Sequence, residues 1–211
     1  MPATYPQAIG DRIIQNIRVH TPGALDDAIK LELFNVVDEF LRETETWRVI
    51  VQFTTVANKQ DYTIGYSNNT IITRINEIYS LNNAIHIPVG GYFISPYTLR
   101  LNTIPSSGGD LVYLDITLTT TEPVKPDGFS DVPNWIWSRY STIFEYGTIS
   151  KLLTQSGKPY TSPQLAVVHY GKFRMGMSKA KTDYQTGFLK DGQAWAFPQS
   201  FATTRTYRGS S

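Results

Sequence analysis

Residues 133–187 read PNWIWSRYSTIFEYGTISKLLTQSGKPYTSPQLAVVHYGKFRMGMSKAKTDYQTG, and their punctuation predicts two consecutive helices. In the first, Trp135, Ile136, Tyr140, Ile143, Phe144, Ile149, Leu152 and Leu153 recur on one side through residue 154. Gly147 lies among them, and a residue without a side chain lets a neighbouring element approach closely. Ser156-Gly157-Lys158-Pro159 reads as a turn. Ser162-Pro163 then opens the second helix, because serine suits the N-cap and proline the first helical position. This helix is expected to reach about Thr186, burying Leu165, Val168, His169, Phe173, Gly176, Ala180 and Tyr184. Lys172, Arg174, Lys179 and Lys181 make it basic.

Upstream, the text changes period. WRVIVQFTT (47–55), residues 61–64, IITRINEIYSL (71–81), residues 84–87, 92–94, 98–102 and LVYLDITLTT (111–120) are β-branched and aromatic runs. Clusters of Asn, Gly, Pro and Ser separate them, so the block predicts an antiparallel sheet or a small sandwich. Glu122 to Pro133 is a proline-rich irregular connection. Before the strands, Leu25, Ile29, Leu33, Val36, Val37, Phe40 and Leu41 mark one face of a helix, with Asp26 and Asp27 in its first turn. The fold expected is therefore α+β: an N-terminal segment and helix (1–46), an inserted β domain (47–121), and a connection with a helical hairpin (122–187). An extended C-terminal arm (188–211) follows, and the helices are expected to form a bundle.

The net charge of +1 conceals a division. Residues 1–150 hold 10 Lys/Arg against 16 Asp/Glu, whereas residues 151–211 hold 9 against 2. Over residues 24–46 alone seven acids meet two bases, and Asp38, Glu39 and Glu43 are the candidates for an acidic strip on a surface or channel. The arm mixes Trp195, Phe197, Phe201 and Tyr207 with Arg205 and Arg208 and has no helical or strand period. Rings of this kind serve as anchors in partner pockets, and the arginines suit acidic partners. The start of the chain lacks the basic and apolar runs of a secretory signal, and no stretch approaches the ~20 apolar residues of a membrane span.

Catalytic signatures are missing from the sequence. With no cysteine there is no disulfide framework, thiolate metal site or cysteine nucleophile. His20, His86 and His169 are scattered without metal-ligand spacing. No nucleophile elbow, phosphate loop or dinucleotide fingerprint occurs, and Gly90-Gly91 and Gly108-Gly109 read as turns. The expectation is a non-enzyme with no cofactor and no bound metal. The basic residues of the last third follow no recognition-motif pattern, so sequence-specific DNA reading is not expected. A basic surface facing the acidic part of an identical or related subunit accounts for them.

The run 133–187 is similar to the C-terminal helical hairpin of tailed-phage head-to-tail adaptor (connector) proteins, also called tail tubular protein A-like. The shared pieces are a proline and an aromatic before the first helix, Lys151-Leu152-Leu153 near its end, the Gln155-Ser156-Gly157-Lys158-Pro159-Tyr160 turn, and a Ser-Pro-started second helix carrying Tyr170 and Phe173. The order of parts also matches: helix, β-rich insertion, two helices, arm. The resemblance implies a structural virion protein at the neck between capsid and tail, made in the host cytoplasm, in a twelve-subunit ring. It implies as partners the portal protein, a tail nozzle or other tail protein, and genomic DNA passing without sequence recognition. Asp38, Glu39 and Glu43 would then line the channel, and the arm would dock on the portal or a neighbouring subunit. Two alternatives stand beside it: another neck or stopper ring protein, and a β-sandwich carbohydrate-binding module using Tyr62, Tyr66, Tyr79, Tyr92, Phe93, Tyr97 and Tyr113.

Overall fold

A computed structural model of the chain describes residues 5–64, 70–82, 85–121 and 132–185. The arm and most of the proline-rich connection lie outside the described residues. Within them the protein is α+β, with four helices and seven strands in two antiparallel sheets. Helices α1 (Tyr5–His20) and α2 (Asp26–Thr44) precede the strands, and α3 (Asn134–Leu153) and α4 (Pro163–Gln185) follow them.

Helix α3 organises the others because its second half is buried on nearly every side. Ile136, Trp137, Tyr140, Phe144, Ile149, Leu152 and Leu153 are all buried, and α1, α2 and α4 each pack against it. Phe144 meets Phe40 of α2 edge-on, ring centroids 5.0 Å apart, and meets Trp137 at 5.3 Å. Gly147 is a point of closest approach, as its sequence context predicts: a Cβ built there would sit 2.6 Å from Val36 Cγ1 and 3.0 Å from Phe173 Cδ2. Polar contacts add to the packing. Ser150 Oγ donates to the Ala166 carbonyl of α4 at 2.9 Å, and Lys151 pairs with Glu39 of α2 at 2.9 Å.

Strand β7 (Leu111–Thr120) is central to the larger sheet, whose order is β1 (Arg48–Thr54), β7, β3 (Thr70–Asn82), β4 (Ile85–Pro88). Val112, Leu114, Ile116 and Leu118 alternate into the core, opposite Phe53, Val51 and Val49 of β1 for the first three. The smaller sheet runs β2 (Asp61–Thr63), β6 (Thr98–Leu101), β5 (Gly91–Ser95). Tyr62 of β2 packs on Phe53 of β1 at 4.7 Å between ring centroids.

The opposite face of β7 carries Asp115, Thr117 and Thr119, which are buried too. Arg48 pairs with Asp115, Asn76 Nδ2 donates to the same carboxylate at 3.0 Å, and the Arg48 guanidinium lies over the Tyr184 ring of α4. Thr119 Oγ1 donates to Asp38 of α2 at 2.7 Å. The helices thus meet this face through satisfied polar groups as well as apolar ones, as burial requires.

Four local expectations change. The N-terminal segment contains α1, which the sequence leaves unassigned because Gly10 and the β-branched Ile13, Ile14 and Ile17 are weak helix formers. Burial of those isoleucines stabilises it instead. Leu25 precedes α2 as its N-cap and is 76% exposed, not on the buried stripe. In α3, Trp137 is buried while Trp135 is exposed. In α4 the buried line is Ala166, Phe173, Met177 and Ala180, so Leu165 and Val168 point to solvent. Gly176, on the expected stripe, does mark a close α3–α4 approach, where an added Cβ would meet Ile143 at 2.8 Å.

Candidate functional site

The acidic residues of α2 do not form one free strip. Adjacent residues 38 and 39 leave a helix in different directions, whereas 39 and 43, four apart, share a face, and of the three Asp38 and Glu39 are engaged within the subunit. Asp38 accepts from Arg42 and Thr119, and Glu39 pairs with Lys151. Glu45, just past the helix, pairs with Arg74 of β3 at 2.7 Å. Glu43 is exposed and makes no ion pair among the described residues. Asp26 joins Arg18 of α1, which braces the corner between the two helices, whereas Asp27 is exposed and forms no ion pair among the described residues.

Around that corner large apolar side chains face solvent: Val19 is 78%, Leu25 76% and Leu31 56% exposed. Helix α4 has a second such face, with Val167 at 72%, Val168 at 53% and Met175 at 75%. Scattered exposed apolar residues are ordinary on soluble proteins, but groups of them on one side of a helix mark places where something docks. The sequence did not show this face, because Leu165 and Val168 suit a buried stripe equally well by spacing alone.

The candidate arm residues Trp195, Phe197, Phe201, Arg205, Tyr207 and Arg208 lie outside the described residues, as does Tyr66. Of the other rings that would form a sugar platform, Tyr62 and Tyr79 are buried, and Tyr79 stacks on Tyr113 at 5.2 Å. Tyr92 and Tyr97 are exposed. Among the described residues no helix is long and apolar enough to cross a membrane, and no group of three or more His, Asp or Glu could hold a metal ion.

Two histidines far apart in sequence meet where α1 ends against α4. The rings of His20 and His169 are 5.5 Å apart edge-on, and His169 also lies 5.8 Å from the Tyr146 ring, over which Lys172 Nζ sits at 5.0 Å. His169 Nδ1 is buried without a hydrogen-bond partner among the described residues. Burial, then His20 and then Lys172, pushes the His169 imidazolium below the usual histidine range. The unfolded chain therefore binds this proton more readily than the folded one. Its contribution to stability is complete above about pH 6.5 and declines as pH falls through that value. Urea midpoints at about pH 7.5 and about pH 5.5 should show the loss on acidification, and His169→Gln should make the dependence shallower. An identical slope in both proteins would assign the acid sensitivity to other groups.

No protein-family model matches the chain, and no curated protein matches it.

Proposed function

We propose that the chain is a structural protein of the tailed-phage neck, an adaptor that joins portal to tail and surrounds the passage for DNA. In this reading α1 to α4 form a helical bundle, the strands are an insertion between its halves, and the arm with Trp195, Phe197, Phe201, Arg205, Tyr207 and Arg208 docks on the portal or the adjacent subunit. The observation that carries it is the pairing of unlike outer surfaces on one small subunit. α2 keeps Asp27 and Glu43 exposed and outside any ion pair among the described residues, and α4 holds four bases against one acid, each beside exposed apolar residues. A closed ring needs such a pair, since every copy must offer one surface to the neighbour on its left and a different one to the right.

Of the three candidate channel acids, Glu43 is the one with an exposed, unengaged carboxylate, and it carries the lumen-lining role. Asp38 and Glu39 contribute mainly by holding α2 to the sheet and to α3. A wall with sparse negative charge suits passage, because cations along it would hold phosphates and release them slowly.

Gold-labelled antibody against this chain, viewed on purified particles by electron microscopy, tests the assignment. Label confined to the neck is the expected result, together with rings of the isolated protein that show a central opening. A stable monomer that binds a glycan array and never labels particles would support the carbohydrate-binding alternative instead.

A further inference from the structure

The outer side of α4 has the spacing of a helix-pairing seam. Gln164, Val168, Gly171, Met175, Ser178 and Thr182 follow one another at intervals of four and three, and all are exposed. This is the interval at which one helix presents a continuous ridge to another. Over the second half of the ridge the flanking positions are cationic, Lys172 and Lys179 along one edge and Arg174 and Lys181 along the other, while exposed Leu165 and Val167 flank its start. Nothing within 4 Å would meet a Cβ at Gly171, so the middle of the ridge is open to a closely approaching partner.

Residues flanking such a seam select the partner by charge. Two copies of α4 laid together would oppose cation to cation along both edges, which disfavours a symmetric pair. The matching surface on this same chain is the outer side of α2. There exposed Leu31 stands between exposed Asp27 and half-buried Glu32, whose carboxylate also accepts from Asn35 and Gln155, with Ala28 and Asn35 in line. Helix α2 has 19 residues and α4 has 23, about 28 Å and about 34 Å at 1.5 Å per residue, so the two ridges are of comparable length.

We infer that the outer face of α4 docks on the outer face of α2 of a second copy, head to tail, with Met175 beside the neighbour's Leu31 and the lysines of α4 facing Asp27 and Glu32. The inference rests on the reading that copies of this chain assemble, and it names the surfaces that do so. Glu43, near the far end of α2, stays outside the contact. A heterologous contact of this kind leaves an unused α2 at one end and an unused α4 at the other, so it propagates until the rotation closes.

The absence of cysteine makes a direct test available. Leu31→Cys and Met175→Cys are prepared as separate variants, mixed, and oxidised mildly. The mixture should give a disulfide-linked dimer as its main product, each variant alone should give little, and the chain carrying both substitutions should give a ladder. Lys172→Glu/Lys179→Glu, with unchanged circular dichroism, should shift the native mass distribution to monomer. No dimer in the mixture, dimer from Met175→Cys alone, or an unchanged mass distribution for the charge-reversed variant would each overturn the inference. The two readings fail separately. Closed rings without the α2–α4 cross-link would leave the adaptor role standing and remove this contact. The cross-link in a species that forms open filaments rather than rings would do the reverse.

Discussion

Replacing Phe144 with alanine should cost about 3–5 kcal/mol, the range for removing a buried ring whose space the surroundings cannot refill. Phe144 is fully buried, and its ring touches Phe40 of α2 on one side and Trp137 of its own helix on the other. Phe40 in turn contacts Tyr140 at 5.0 Å, so a continuous aromatic row holds α2 to α3. Each of these rings is fixed by its neighbours, and collapse into the vacated space would cost several edge-to-face contacts at once. For a protein of this length each kcal/mol moves the melting temperature by about 2–4 °C, so a fall on the order of 10 °C is expected. Against a total stability of about 5–15 kcal/mol this is a large fraction. Thermal unfolding followed by circular dichroism measures it. Phe144→Leu, which keeps most of the volume, should lose less than half as much, and a loss below about 1 kcal/mol for alanine would mean that the row is not the main tie between the helices.

The second large effect is an addition rather than a removal. Gly147→Val should destabilise by about 3 kcal/mol, at the upper end of the range for overpacking a filled core. A single Cβ already falls within 2.6 Å of Val36 and 3.0 Å of Phe173, both fully buried on two different helices. Neither can withdraw without opening a contact elsewhere, because interiors are close-packed. Gly147→Ala is milder, since alanine regains about 1 kcal/mol of helix propensity relative to glycine. The decisive measurement is a double-mutant cycle. Val36→Ala removes the methyl that the new Cβ meets, so the Gly147→Ala/Val36→Ala protein should be more stable than the sum of the two single losses predicts. Additive losses would show that the strain lies elsewhere. Because α2 and α4 both lean on this glycine, the same substitution should also disturb the self-association proposed above, which would require their outer faces in fixed relative positions.

The fates of individual residues show how far the sequence could be read. The seven strands were legible because β-branched runs alternating with Asn, Gly and Pro clusters have few other solutions, and the predicted ends lie close to those observed. Gly147 was legible as well, since a glycine inside a strongly apolar helix has few uses other than close packing. The orientation of α4 was not legible. Its apolar residues surround much of the helix, so spacing alone could not decide between a line through Val168 and one through Met177. Burial of Ala166 and Met177 decided it and left Val168 and Met175 outward. Helix α1 escaped for a related reason: its isoleucines disfavour a helix locally, and their burial against other elements outweighs that preference.

The candidate site divides in the same way. The unequal distribution of charge, acidic before residue 150 and basic after it, is a property of composition and needs no structure to be seen. Which of those charges are available to a partner is a tertiary matter. Asp38 and Glu39 look like Glu43 in sequence, yet Thr119, Arg42 and Lys151 engage them and leave Glu43 unengaged. Sequence by itself therefore determined the seven strands, the three helices other than α1, their order and the two opposite charges of the chain, because these depend on local preference and on counting. Only the tertiary structure decided which helix faces remain uncovered and which acids already have partners, because both depend on contacts between residues brought together from distant parts of the chain.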